Sequence, residues 1–139
     1  VSGYSQVGGL VGINNSGSIS DCYSTGSVSC INYVGGLVGW NNPGIITASF
    51  WDTQTSGQSV GIGYGSTNGV SGKTTAEMKT LSTFTSANWD FVNAWGIGNG
   101  QTYPYLKPFN GINTADLNYD GPVDFEDFAI LAANWLSGI

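Results

Sequence analysis

The chain writes the same six residues twice. Val7-Gly8-Gly9-Leu10-Val11-Gly12 recurs as Val34-Gly35-Gly36-Leu37-Val38-Gly39, at an offset of 27 that also aligns Asn14 with Asn41. A hexamer repeated at a fixed offset predicts a structural repeat, whose units cannot bury their apolar faces alone and stack on their neighbours. Leu10, Val11, Leu37 and Val38 are the core candidates. The flanking glycines allow close backbone approach. Residues 7–33 make one unit, with Ile19, Cys22 and Val28 as inward positions and Asn-Asn-Ser-Gly and Ser-Thr-Gly-Ser as turns. Residues 34–60 make a second, which drifts after Gly44. Val1-Ser2-Gly3 aligns with Val28-Ser29-Cys30, so the chain is expected to open in the second half of a repeat. Position 1 is not Met, and a processed chain or a fragment is expected.

Hydrophobic residues make up 40% of the chain and charged ones only 9%, with 22 glycines among 139 residues, which suits tightly turned β structure. The expected fold is mainly β: a β-solenoid-like or otherwise stacked repeat domain over 1–72. A coil of the repeat's length suits a three-sided solenoid, and hairpins stacked as a sandwich would leave much the same sequence. Gly61-Ile62-Gly63-Tyr64-Gly65 lacks the leading strand and following helix of a phosphate-cradling loop. The stretch 57–72 is expected to be a loop or a degenerate coil, and Ser66–Gly72 resembles Ser24–Cys30. Thr74 with Glu77 three residues on has capping-box spacing, predicting a helix over about 75–82 that packs Met78 and Leu81. Residues 88–106 return to aromatic β character with Trp89, Phe91, Trp95, Tyr103 and Tyr105. Buried, these rings form a plug closing the end of the repeat stack; exposed, they form a carbohydrate platform. Residues 73–108 are thus a closing segment.

The last segment, 109–139, carries five of the nine acids within twelve residues. Asp116, Asn118 and Asp120 fall at positions 1, 3 and 5 of a calcium loop, with Gly121 at 6 for the sharp turn. Pro122 offers its carbonyl at 7, Asp124 acts at 9 through water, and Asp127 closes the shell at 12. A helix from about Phe125 to Leu136 follows, and no amphipathic helix precedes the loop, which makes half of an EF-hand. Ca2+ is the one cofactor expected.

His and Arg are absent, and Lys73, Lys79 and Lys107 are the only basic residues. Nucleic-acid backbones need clustered positive charge, so that partner is not expected. Nucleophile triads need a base, and no paired carboxylates stand out, so no catalytic residues and no enzyme activity are expected. No apolar run approaches the roughly 20 residues of a membrane span. Cys22 and Cys30 are a disulfide candidate if Ser24–Ser27 turns the chain back as a hairpin, and two small buried thiols are the alternative. Asn14-Asn15-Ser16 fits an N-glycosylation sequon, making Asn14 a glycan candidate.

Two resemblances follow from these motifs. Val-Gly-Gly-Leu-Val-Gly with Asp21-Cys22-Tyr23-Ser24-Thr25-Gly26-Ser27 resembles the GLUG repeat of bacterial surface and adhesin-like proteins. Phe50-Trp51-Asp52-Thr53, Gly72–Met78 and Trp89-Asp90-Phe91 look like the segment that often closes such regions. The C-terminal loop and helix are similar to one repeat of a type I dockerin, where two repeats are the norm for cohesin docking. The resemblance implies a secreted bacterial protein at the cell surface. An extracellular structural subunit is expected, stabilised by calcium and joined head-to-tail to identical subunits in a filament or adhesive layer. A carbohydrate- or protein-binding module of a larger secreted protein is the alternative.

Overall fold

A computed structural model describes residues 1–107 and 128–130. The first repeat supplies strands β1 (Ser5–Gly8), β2 (Val11–Asn14), β3 (Ser18–Ser20) and β4 (Tyr23–Ser24). The second supplies β5 (Asn32–Gly35), β6 (Val38–Asn41), β7 (Ile45–Thr47) and β8 (Ser49–Asp52). Each strand of the first pairs in parallel with its counterpart in the second. Ser5 faces Asn32, Val11 faces Val38, Ser18 faces Ile45 and Tyr23 faces Phe50, always at the offset of the hexamer. Parallel neighbours cannot be joined by a tight hairpin, so each strand lies beside its counterpart only after the rest of the repeat has intervened. The hairpin at Ser24–Ser27 that a Cys22–Cys30 disulfide requires is therefore absent.

The glycine-rich stretch builds a third, shortened level. Strand β9 (Ile62–Gly65) adds to β6 with Val38 opposite Ile62, and β10 (Val70–Lys73) adds to β8 with Ser49 opposite Val70. Both pairings span less sequence than the repeat offset, and the second spans less than the first. Val70 thus comes, through Ser49, to the level of Cys22 rather than that of Val28. A one-turn helix, α1 (Thr53–Ser56), precedes this level. Asp52 is its N-cap. The architecture is mainly β with a few short helices, and the described strands close no barrel.

Stacking explains which apolar residues are buried. Leu37 and Val38 are fully buried with Ile46, Trp51 and Ile62, and Val11 and Ile19 pack against that group. Leu10, the first-repeat copy of Leu37, is 42% exposed. Leu37 is covered by the first level, whereas no described strand pairs with the far edges of β1–β4. Trp51 belongs to the same buried group. Its register partners are Ser24 on one side and Gly72 on the other, so one indole occupies a space bounded by small residues above and below. Gly36 lies against the same ring, where an added Cβ would come within 2.6 Å of Trp51 Cγ.

All four residues of β8 are buried, because that strand is covered on both faces. Trp51 joins the inner core, and its neighbour Phe50 alternates to the opposite side. There Phe50 meets Met78, Phe84 and Trp89 from the segment after β10. This segment holds α2 (Thr75–Met78), with the expected capping box between Thr74 and Glu77, and α3 (Leu81–Thr85). A two-residue ladder follows, in which β11 (Trp95–Gly96) runs antiparallel to β12 (Tyr105–Leu106). Tyr23 and Phe50, from successive levels, both contact Phe84 and Trp89. The aromatic segment therefore covers the flank of the stack rather than closing its end. Residues 73–106 share one compact unit with the repeats, Val1–Leu106, and Lys107–Ile139 form a second. No helix among the described residues is long and apolar enough to cross a membrane.

Candidate functional site

Repetition places identical polar side chains at identical heights. Asn14 and Asn41 are register partners at the ends of β2 and β6, and both are buried. The Asn14 Nδ2 donates to Asn41 Oδ1 at 2.9 Å and to the Gly17 carbonyl at 3.2 Å. Asn41 repeats the pattern one level on, donating to the Gly44 carbonyl at 3.2 Å and the Ser66 carbonyl at 3.0 Å. The ladder has a direction, since each amide donates toward the following level. Its last donor finds a backbone carbonyl because the shortened third level has no asparagine there. At its start, Asn14 Oδ1 has no donor among the described residues, although the same atom of Asn41 has one.

This ladder bears on the sequon. The Asn14 Nδ2 that a glycan would need is buried and makes two hydrogen bonds, so Asn14 serves the stack in this structure. Cys22 and Cys30 are free thiols. Each donates to a carbonyl two residues away, Cys22 back to Ser20 at 3.1 Å and Cys30 forward to Asn32 at 3.0 Å. Burial pushes the Cys22 thiol pKa up, and the charge of Asp21 adds to it. The six predicted calcium ligands, Asp116, Asn118, Asp120, Pro122, Asp124 and Asp127, lie outside the described residues. Residues 128–130 are helical.

A second polar centre ties the repeats to the segment that covers their flank. Asp52 is completely buried. Its Oδ1 accepts from the Gln54 and Thr55 N–H groups at 2.9 and 3.1 Å, and its Oδ2 from Thr75 Oγ1 and the Tyr103 hydroxyl, both at 2.7 Å. Burial alone would raise this carboxyl's pKa, but the four donors outweigh it and hold it below the usual carboxylate value. The Tyr103 phenol is raised, by burial and then by its bond to Asp52. With both oxygens committed to the fold, Asp52 joins β8, α1, α2 and the aromatic segment at one point.

The aromatic residues divide in a way composition did not reveal. Trp89 is 4% exposed, and its indole N–H donates to the Ala48 carbonyl at 2.8 Å. Trp95 lies 4.5 Å from it, centroid to centroid, and Tyr103 stacks on Tyr23. These rings belong to the core, and only Tyr105 of the five is exposed. A different set, Tyr33, Trp40 and Tyr64, gathers on the surface. The signal for it was present in the repeat: Trp40 follows the second hexamer directly, where the first copy has Ile13.

Comparison with known proteins gives two findings. Residues 3–29 match the model of the GLUG motif. A protein described as a putative Gly-rich membrane protein, from Evansella cellulosilytica, is 39% identical over 106 residues. The alignment covers 72% of this chain and 12% of that relative, so the chain corresponds to a small part of the relative's length. No solved structure gives a significant match.

Proposed function

We propose that the chain is a structural segment of a bacterial cell-surface or secreted assembly, a β-solenoid extended by further copies of itself across the strand edges that no described strand covers. The observation that carries this reading is the parallel register of the two repeats, constant across all four strand pairs. The edge that β1–β4 present is the same sequence whose second copy, in β5–β8, is already covered by a neighbouring level. An unpaired row of N–H and C=O groups is a template for strand addition, in which the main chain supplies affinity and side chains need not be identical. At the other side β9 and β10 each pair on one edge only among the described strands. A head-to-tail joint between these two edges does not close and gives a filament. Asn14 Oδ1 supports the same reading, since it is an acceptor set by the repeat and left without a donor among the described residues. The GLUG match and the membrane-protein description of the relative agree with display at the surface.

Sedimentation and negative-stain imaging across a concentration series test this. Rods that lengthen with concentration are expected; uniform particles of 14.5 kDa at every concentration would refute the filament. Calcium bound through Asp116, Asn118, Asp120, Pro122, Asp124 and Asp127 completes the proposal, stiffening the C-terminal segment as one dockerin-like half-site. Calorimetric titration is expected to show one Ca2+ per chain, lost in Asp116→Ala. No heat of binding in the unmodified chain would remove calcium from the picture.

A further inference from the structure

The register that aligns the core also aligns a surface row. Ile13, Trp40 and Tyr64 are successive Cα partners on β2, β6 and β9. None of the three belongs to the buried cluster that takes Val11, Val38 and Ile62 two residues earlier. Ile13 is 53% exposed and Tyr64 49%. Tyr33, 41% exposed, closes the row from the side. The Trp40 and Tyr64 rings lie 4.5 Å apart at 40°, and Tyr33 meets them edge-on at 4.9 and 5.5 Å.

We propose that this row binds a neutral polysaccharide chain laid along the stacking direction. Three observations select that occupant. First, the face carries no charge: the charged residues of 1–106 are Asp21, Asp52, Lys73, Glu77, Lys79 and Asp90, and none lies on β2, β5, β6 or β9. An ionic ligand finds no complement there, whereas the C–H faces of pyranose rings meet the negative faces of aromatic rings. Second, the rings touch one another, so no space remains between them for a caged cation; a ligand must lie across them. Third, four partly exposed side chains offer on the order of 400 Å². A stable protein interface needs about 800 Å² per partner.

The backbone adds a local sign. Tyr33 has φ of 56°, in the left-handed region, as does its counterpart Gln6 at 58°. That conformation costs a non-glycine residue roughly 1–2 kcal/mol. Glycine would relieve it, yet the second repeat places a bulky tyrosine there, with its ring against Trp40. The conformation is shared by both repeats, and in the second it carries the ring to Trp40.

Affinity electrophoresis of the full chain through gels containing soluble neutral glycans (hydroxyethyl cellulose, xylan, galactomannan) or polygalacturonate tests the assignment. It does not depend on filament formation. Retardation by at least one neutral glycan is expected, with apparent affinity falling at least tenfold in Trp40→Ala and Tyr64→Ala. Tyr105→Ala, an exposed ring elsewhere, is expected to behave as the unmodified chain does. Circular dichroism establishes that each variant is folded. Tyr64, at the edge of its sheet, remains decisive should Trp40→Ala fail to fold. Overturning results are no retardation by any neutral glycan, retardation by polygalacturonate alone, undiminished affinity in folded Tyr64→Ala, or an equal loss in Tyr105→Ala.

Discussion

Trp51→Ala is expected to lower unfolding stability by about 3–5 kcal/mol, the range for removing a buried aromatic side chain. Small domains have only about 5–15 kcal/mol in total. The expectation rests on where the indole lies. It is 8% exposed and packs with Leu37, Val38, Ile46 and Ile62, from the second and third levels of the stack. The slot around it can collapse only in part. Three glycines form part of its wall: added Cβ atoms at Gly61 and Gly72 would come within 2.6 and 2.7 Å of the ring, much as at Gly36. Glycine has no side chain to swing into a vacancy, so part of the cavity persists and its cost is added to the lost transfer energy. The indole N–H also donates to the Gln58 carbonyl at 3.1 Å, and that bond goes with it. Trp51→Phe keeps much of the volume and is expected to lose roughly half as much. Urea unfolding followed by circular dichroism measures both; a loss under about 1 kcal/mol in Trp51→Ala would show that the column is not organised around this ring.

The same residue shows what the sequence made legible. The repeat offset was visible in the hexamer, and it set every strand pair between the first two levels, including Ser24 opposite Trp51. The third level was obscured because it sheds residues before β9 and again before β10. Identity at a fixed offset then vanishes, although backbone pairing tolerates the shortening. Aligning Ser66–Gly72 with Ser24–Cys30 fails for that reason, since Val70 stands at the level of Cys22. The aromatic segment was recognisable as burying material, but its position was not. Phe50 and Trp51 are adjacent and alternate across β8, so a second layer had to cover the flank rather than the end. The hairpin reading of Cys22 and Cys30 assumes antiparallel return, whereas strands that pair in parallel meet only after a full repeat. Asn14 matches a modification motif and a repeat position at once, and burial decides for the repeat. The surface row was hidden because its members are far apart in sequence, and only stacking gathers Ile13, Trp40 and Tyr64.

Asp52→Asn is expected to cost about 2–4 kcal/mol at neutral pH and to flatten the acid limb of the stability curve. The carboxylate receives four donors, two at each oxygen. An amide of the same shape offers one oxygen and one NH2. With its NH2 toward the Gln54 and Thr55 N–H groups it opposes two donors; turned the other way it keeps both backbone bonds, but the Thr75 and Tyr103 hydroxyls must reverse from donors to acceptors and every bond loses its charge assistance. The pH dependence follows from the same geometry. Those bonds favour the charged form, so the folded pKa lies below the unfolded value near 3.9. The unfolded state then binds the proton more readily. Asp52 contributes its full stabilisation above the unfolded pKa and loses it as the pH falls through the folded pKa. Stability measured by urea unfolding from pH 7 down to pH 2 is therefore expected to drop in the unmodified chain below about pH 4. Asp52→Asn, already less stable at pH 7, is expected to drop less over the same interval. Glu77 is also held below its usual pKa, through the Thr74 N–H, but it is exposed and remains in both proteins, so the difference between them isolates Asp52. Parallel acid limbs would mean that another carboxylate sets the response. Equal stability at pH 7 would mean that the four-donor site does not join the covering segment to the stack. Because Thr75 and Tyr103 both lie in that segment, the variant is also expected to loosen it first, seen as faster amide exchange at α2 than at β6.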